Sequence, residues 1–364
     1  MRKFTLYGWH LSYYTGKLLC YMTHKGVPFE LKKVNAFTLI GPIKKRFRAI
    51  VMPVIVTPKG EWLQDTSDII DQFEASYTDN PMIPDSPVQR FAAHLLETWG
   101  DENWIPVSLM ARWNHPENYD AFKAEAGPAL LPWFPKFIQN KAVAKIASGL
   151  KSYLPALGVT PEQCPLLEKE VIAHLDALDA HFAEHQYLLG DCPSLADFGL
   201  AGPLVAHLAH DPWPNREWIA PRKNLTAWVE RISKGDDGNN SSWLANDEMT
   251  KTLQPIFESI ARDFLPTIEA TLAKTLEIAA SRPAGKVLPR SIADISVPKA
   301  GGTYKCNASP FVLWKMQRIQ SVYKSMAEKD QQAVRTWLAG LDAEGFIDME
   351  IPKMKRNGLR VKFV

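Results

Sequence analysis

At 364 residues the chain is long enough for at least two domains and a sizeable core. Its 42 lysines and arginines nearly balance 40 acidic residues, so no global field draws it to nucleic acid or an anionic membrane, and no apolar run reaches spanning length. Cys20, Cys164, Cys192 and Cys306 lack the spacing of a zinc or disulfide framework and suit a reducing cytoplasm, and the nine histidines show no metal-ligand spacing either. His207 and His210, an i,i+3 pair, read as a helix surface or pocket wall.

The chain opens at Met1-Arg2-Lys3-Phe4 directly into a predicted strand, Phe4 to Tyr7, with no signal-peptide pattern. The turn Leu11-Ser12-Tyr13-Tyr14-Thr15-Gly16-Lys17 leads to a helix from Thr15 to Lys25 and a strand from Phe29 to Val34. The basic run Lys44, Lys45, Arg46 and Arg48 reads as solvated surface, from which one side chain can still reach a ligand. Then comes Met52-Pro53-Val54, a proline just before a strand (Val54 to Thr57); it withholds a donor from the ladder and suits the cis bond of a tight turn. The backbone of Val54 is then expected to face outward and to pair with an extended, peptide-like ligand. After a turn at Pro58-Lys59-Gly60 and a strand from Glu61 to Leu63, Gln64-Asp65-Thr66-Ser67 opens a helix from Thr66 to Glu74. Its free amides can meet a carboxylate and Asp65 an ammonium, although either residue can serve as a plain helix cap.

This order and these residues resemble the thioredoxin-like N-terminal domain of the glutathione transferases over roughly the first 75 residues. The resemblance implies glutathione as co-substrate, with Pro53 and Val54 against its cysteinyl part and Asp65 and Thr66 at its γ-glutamyl end. It places Ser12 where serine-type relatives keep the hydroxyl that hydrogen-bonds the sulfur. A neutral donor beside a helix N-terminus stabilises a thiolate, whereas serine cannot form a mixed disulfide. Tyr13 stands where many relatives carry proline, which makes it a rival donor, with Tyr14 and Tyr7 behind it; Ser12 can equally be an N-cap.

Pro81, Pro84 and Pro87 mark a linker at about 78 to 88. Apolar-periodic stretches follow at Val88 to Leu109, Tyr119 to Leu150 and Pro165 to Glu184. The tryptophan-flanked segment Trp99-Gly100-Asp101-Glu102-Asn103-Trp104, followed by Arg112-Trp113, makes Trp104, Arg112 and Trp113 candidates for the wall of an acceptor pocket, against the alternative that each indole is core. Next, Leu189-Gly190-Asp191 and Pro193-Ser194-Leu195-Ala196-Asp197 give Ser194 and Asp197 the spacing of a capping box. This is the second resemblance to the glutathione transferases, whose all-α domain opens a buried helix this way.

The expected architecture is therefore α/β plus all-α: a thioredoxin-like βαβ-ββα domain over 1–78, a helical bundle over 88–235, and a mostly helical extension over 241–364. The polar stretch Lys234 to Ser242 reads as a loop. In the extension, helices are expected at Glu248 to Ser281, Ser309 to Met326 and Asp330 to Leu341, and strands at Phe346 to Ile351 and Leu359 to Val364, with Lys353, Lys355 and Arg356 in a solvated basic turn. The resemblance implies a cytoplasmic homodimer that activates the glutathione thiol for attack on a small apolar or aromatic electrophile, by conjugation, ether cleavage, dehalogenation or isomerisation. A non-catalytic binding or scaffolding protein on the same fold is the alternative.

Overall fold

The computed structural model describes residues 3–235, 242–280 and 285–364. The predicted loop falls largely on 236–241, outside the described residues. A four-stranded sheet in the order β2-β1-β3-β4 begins the chain. Strands β1 (Phe4–Gly8) and β2 (Phe29–Lys33) run parallel, and helix α1 (Tyr13–His24) makes the crossover that a parallel pair requires. Strand β3 (Val54–Val56) lies antiparallel to β1, with Leu6 opposite Ile55, and β4 (Trp62–Gln64) closes the sheet against β3. Leu6 and Ile55 are fully buried, so the register is held by the apolar face. The Met52–Pro53 peptide is cis. Helix α2 (Thr66–Ser76) follows β4, and this thioredoxin-like half is as the sequence pattern predicts, with boundaries moved by one or two residues.

The helical half begins with α3 (Pro87–Glu102), α4 (Ile105–Asn114), α5 (Pro116–Leu130) and α6 (Lys136–Lys151), then α7 (Cys164–Phe182), α8 (Leu195–Pro203) and α9 (Lys223–Lys234). Each of the first two periodic stretches thus divides into two helices: Pro106 takes a first-turn position and starts α4, and Pro132 and Pro135 lie in the break between α5 and α6. Helices α3 and α8 cross at glycines. A Cβ on Gly100 would stand 2.6 Å from the Gly199 carbonyl carbon, and one on Gly199 would stand 2.6 Å from Glu97 Cα. That approach brings Glu97 and Asp101 into the interior.

The capping box is present. Asp197 accepts from the Ser194 amide (2.9 Å), the Leu188 amide (3.0 Å) and the Trp228 indole (3.1 Å), all in the core. Burial raises its carboxyl to about 6, against the pull of those donors.

The extension is folded onto both halves. A helical run from Gln254 to Ala279 is followed by a hairpin of β5 (Asp294–Lys299) and β6 (Gly302–Asn307), which the sequence reading did not foresee. Helices α10 (Phe311–Ser325) and α11 (Glu328–Ala339) then pack on α3. The predicted strand at Phe346 to Ile351 is instead a helical turn, Gly345–Asp348; Phe346 and Ile347 are consecutive and both buried, which alternation in a half-buried strand does not allow. The last hairpin pairs β7 (Met354–Asn357) with β8 (Arg360–Phe363). Arg356 is not in a solvated turn: it sits in β7 and pairs with Asp68 of α2 at 2.7 Å.

A buried charge cluster joins these parts. Lys17 of α1 pairs with Glu97 (2.6 Å) and Asp101 (2.7 Å) of α3; Lys315 of α10 pairs with Asp101 (2.6 Å); and Arg318 of α10 pairs with Glu97 (2.9 Å) and with Asp71 of α2 (2.7 Å). Burial pushes the Glu97 carboxyl up, but Arg318, Lys17 and Lys315 together hold it well below the usual carboxylate range.

Three variants test these contacts through stability. Asp197→Ala strands two backbone amides and an indole, so urea denaturation should show a loss of about 3 kcal/mol or more; a loss under about 0.5 kcal/mol would contradict the role of the box. Lys315→Met should cost about 3 kcal/mol by removing one partner of a buried pair. Because the folded state binds the Glu97 proton less tightly than the unfolded chain, that group's contribution is present above the unfolded value of about 4.5 and is lost as pH falls below it. Glu97→Gln should flatten the acid side of the stability profile.

Candidate functional site

Ser12 precedes α1 with an extended backbone (φ −93°, ψ 123°), and its hydroxyl makes no bond to the helix amides. Its amide donates to the Trp9 carbonyl at 3.0 Å. The hydroxyl therefore stands uncommitted among the described residues at the positive end of a 12-residue helix. It faces a cleft of about 920 Å³.

The neighbouring phenols are engaged. Tyr13 lines the cleft but donates its hydrogen to the Gly100 carbonyl, and burial, with Asp101 and Glu102 nearby, raises it well above an ordinary phenol. Tyr14 donates to the Asp101 carbonyl at 3.1 Å and is raised for the same reasons. Tyr7 stacks on Trp62, centroids 5.8 Å apart, away from the wall.

At the other end of the polar wall stand Gln64, Asp65 and Thr66. Asp65 caps α2, and both capping bonds, from the Ser67 amide (3.1 Å) and the Asp68 amide (3.3 Å), fall on Oδ1. Cap and ligand site are thus compatible, since the second oxygen is not used by the cap. Burial raises the Asp65 carboxyl, but Lys315, Arg356, the Asp68 amide and Lys17 outweigh it and hold it below the usual value. Thr66 is buried and lines the cleft.

Pro53 is in the wall and Val54 is not. Val54 lies fully buried between Tyr7 on β1 and Gln64 on β4, paired on both flanks, so its backbone does not face outward as expected. Met52, just before Pro53, does line the cleft and enters no backbone hydrogen bond among the described residues. Its amide and carbonyl are the groups at this turn able to pair with an extended ligand.

The apolar wall comes from Trp9, Leu39, Leu109, Trp113, Phe122 and Ile146. Arg112 also lines it, buried and ion-paired to Asp211 at 2.8 Å, while donating to the Leu11 carbonyl at 2.6 Å. Trp104 is outside the cleft; it packs in the core, edge-on to Trp99 at 5.4 Å. The basic run Lys44, Lys45, Arg46 and Arg48 is exposed and absent from the wall; Arg46 lies 4.4 Å over Trp62.

The remaining wall belongs to the extension: Arg290, Tyr304, Asn307, Phe311, Val312 and Lys315 among others. Lys315, at one with Asp101 and the Ser67 hydroxyl, brings a cation to the Asp65–Thr66 end. Arg356 donates to both oxygens of Gln64 and so fixes the start of α2 from outside. The sequence reading missed Met52, Lys315 and Glu102. Glu102 lay inside a segment singled out for its tryptophans, and Lys315 sits in an ordinary amphipathic helix, where nothing local marks it. No group of three or more metal-ligating side chains occurs among the described residues.

Comparison with known proteins gives the same assignment. Residues 6–81 match the glutathione S-transferase N-terminal domain and residues 142–231 its C-terminal domain. No curated protein matches the chain. Similar solved structures include a glutathione S-transferase from Rhodospirillum rubrum F11, at 15% identity and a TM-score of 0.41, covering 68% of this chain and 96% of that one. Another is a glutathione S-transferase from Methylobacterium radiotolerans in complex with glutathione sulfonate, at 18% identity and 0.38, covering 68% and 98%. The beta-etherase LigF from Sphingobium sp. strain SYK-6 is similar at 17% identity and 0.40, covering 64% and 95%. Both domain matches, in their order, identify residues 6–231 as glutathione S-transferase-like, and everything after residue 231 lies outside them.

Proposed function

We propose that the cleft binds glutathione and that the Ser12 hydroxyl activates its thiol for attack on an apolar or aromatic electrophile. The observation that carries this reading is the uncommitted Ser12 hydroxyl at the head of α1, in one cleft with the head of α2. A γ-glutamyl group is a zwitterion. Asp65 offers its ammonium a carboxylate, while Thr66 at the head of α2 and Lys315 offer its carboxylate a donor and positive charge. Met52 supplies unpaired backbone for the cysteinyl part. From there the sulfur meets Ser12 and the positive end of α1, which lower the thiol pKa. The apolar wall with Trp113 and Phe122 holds the acceptor beside it, so that the gain comes from thiolate formation and from keeping both reactants together. Tyr13 is the second choice as donor, since its hydrogen is already given to Gly100.

A binding protein of the same fold is the second reading, and the exposed aromatic side chains Phe37, Trp133 and Phe137 favour it. Calorimetric titration with reduced glutathione separates the two. Saturable binding, weakened at least 10-fold by Asp65→Ala, supports the enzyme; no heat at millimolar glutathione selects the binding protein. Ser12→Ala should leave most of the affinity and raise the pKa of the bound thiol by about one to two units, read from thiolate absorbance against pH. If Tyr13→Phe raises it and Ser12→Ala does not, the donor is Tyr13.

A further inference from the structure

Glu102 ends α3 on the wall of the cleft. Its Oε1 is cut off from solvent and has no hydrogen-bond partner. A buried carboxylate oxygen without a donor is costly, and a neutral carboxylic acid tolerates that position far better. The groups that face it come from every neighbouring element: Asp101 on α3, Asp65 at the head of α2, the phenols of Tyr13 and Tyr14 on α1, Lys315 on α10, and Arg290 ahead of β5. Burial is the strongest influence, Lys315 opposes it, and Asp101 and Asp65 reinforce it, leaving the carboxyl at about 8. Near neutrality Glu102 thus carries a proton inside the cleft. Asp65, the other acidic side chain of the wall, is ionised and caps α2.

We propose that Glu102 is the general acid of this site, protonating an oxygen leaving group as the glutathione sulfur attacks; an epoxide serves as the probe of that role. This rests on the glutathione reading above. The thiol ionises and its proton passes to solvent. The thiolate forms a C–S bond at an epoxide carbon, the electron pair of the breaking C–O bond goes to oxygen, and that oxygen takes the Glu102 proton. Glu102 then regains a proton from solvent, so glutathione adds across the C–O bond with no change of oxidation state in the protein. A halide leaves as a stable anion and draws nothing from the acid.

The test compares glutathione addition to styrene oxide with displacement of chloride from 4-nitrobenzyl chloride, in the full-length wild type and in Glu102→Gln. The amide keeps the shape of the side chain, and calorimetry with glutathione confirms that the variant is folded and binds. The ratio of kcat/KM for the epoxide to that for the chloride should fall about 100-fold. The wild-type epoxide rate should also bend down above about pH 8, a bend that the variant lacks. An equal fall for both substrates overturns the proposal, as does weakened glutathione affinity with the ratio preserved, since Glu102 would then be holding the γ-glutamyl ammonium. Chloride turnover by the wild type without epoxide turnover overturns it too. Failure of the wild type to bind glutathione removes the underlying reading and this inference with it.

Discussion

The structure depends on a buried, balanced set of charges between α1, α2, α3 and α10. Lys17, Lys315 and Arg318 face Glu97, Asp101 and Asp71, with the Ser67 hydroxyl among them. Glu97 and Asp101 are fully buried, and ions withdrawn from water at such depth are tolerable only when each has its partner and geometry. That requirement couples distant parts of the chain. The first helix, the helix after the sheet, the long helix of the second half and a helix some 200 residues further on must all be in place before the whole set of charges is satisfied. The extension is therefore a structural part of the protein rather than an appendage.

The site inherits its electrostatics from this arrangement. Asp101 follows Gly100, whose lack of a side chain lets α3 approach α8, and Glu102 follows Asp101 onto the wall of the cleft. One residue along the same helix thus separates a carboxylate in the cluster, held by Lys17 and Lys315 through Oδ2, from a carboxyl with no ion pair among the described residues. Lys315 acts on both carboxyls in the same direction: it holds Asp65 ionised and opposes the rise of Glu102. The cleft consequently has a polar end with charges of both signs and an apolar end of aromatic and aliphatic side chains, a division suited to a peptide-like co-substrate beside an apolar one.

The sheet, α1, α2 and the capping box were legible because each has a local cause. Alternating apolar residues set the strands, Asp65 caps α2 through its own oxygen, and Ser194 with Asp197 satisfies amides three residues apart. Ser12, Asp65 and Thr66 are likewise placed by position relative to helix starts, and they do meet in one cleft. Val54 and Trp104 were misjudged as facing a ligand because exposure is not a local property. Val54 is paired by strands from both sides, and Trp104 is enclosed by α3 and α7 through Trp99 and His174.

By itself, then, the sequence determined the order of the elements, the two helix starts that frame the cleft and the cap of α8, since these follow from backbone valence and short-range periodicity. Only the tertiary structure decided what Lys315, Arg356 and Glu102 do. Their roles come from neighbours far away in the chain: Arg356 reaches Gln64 and Asp68, Lys315 reaches Asp101 and Ser67, and Glu102 is set by burial among charges from three other elements. A charge paired in the interior and a charge left in water look the same in a sequence, because the difference lies in desolvation and in partners that chain folding alone supplies.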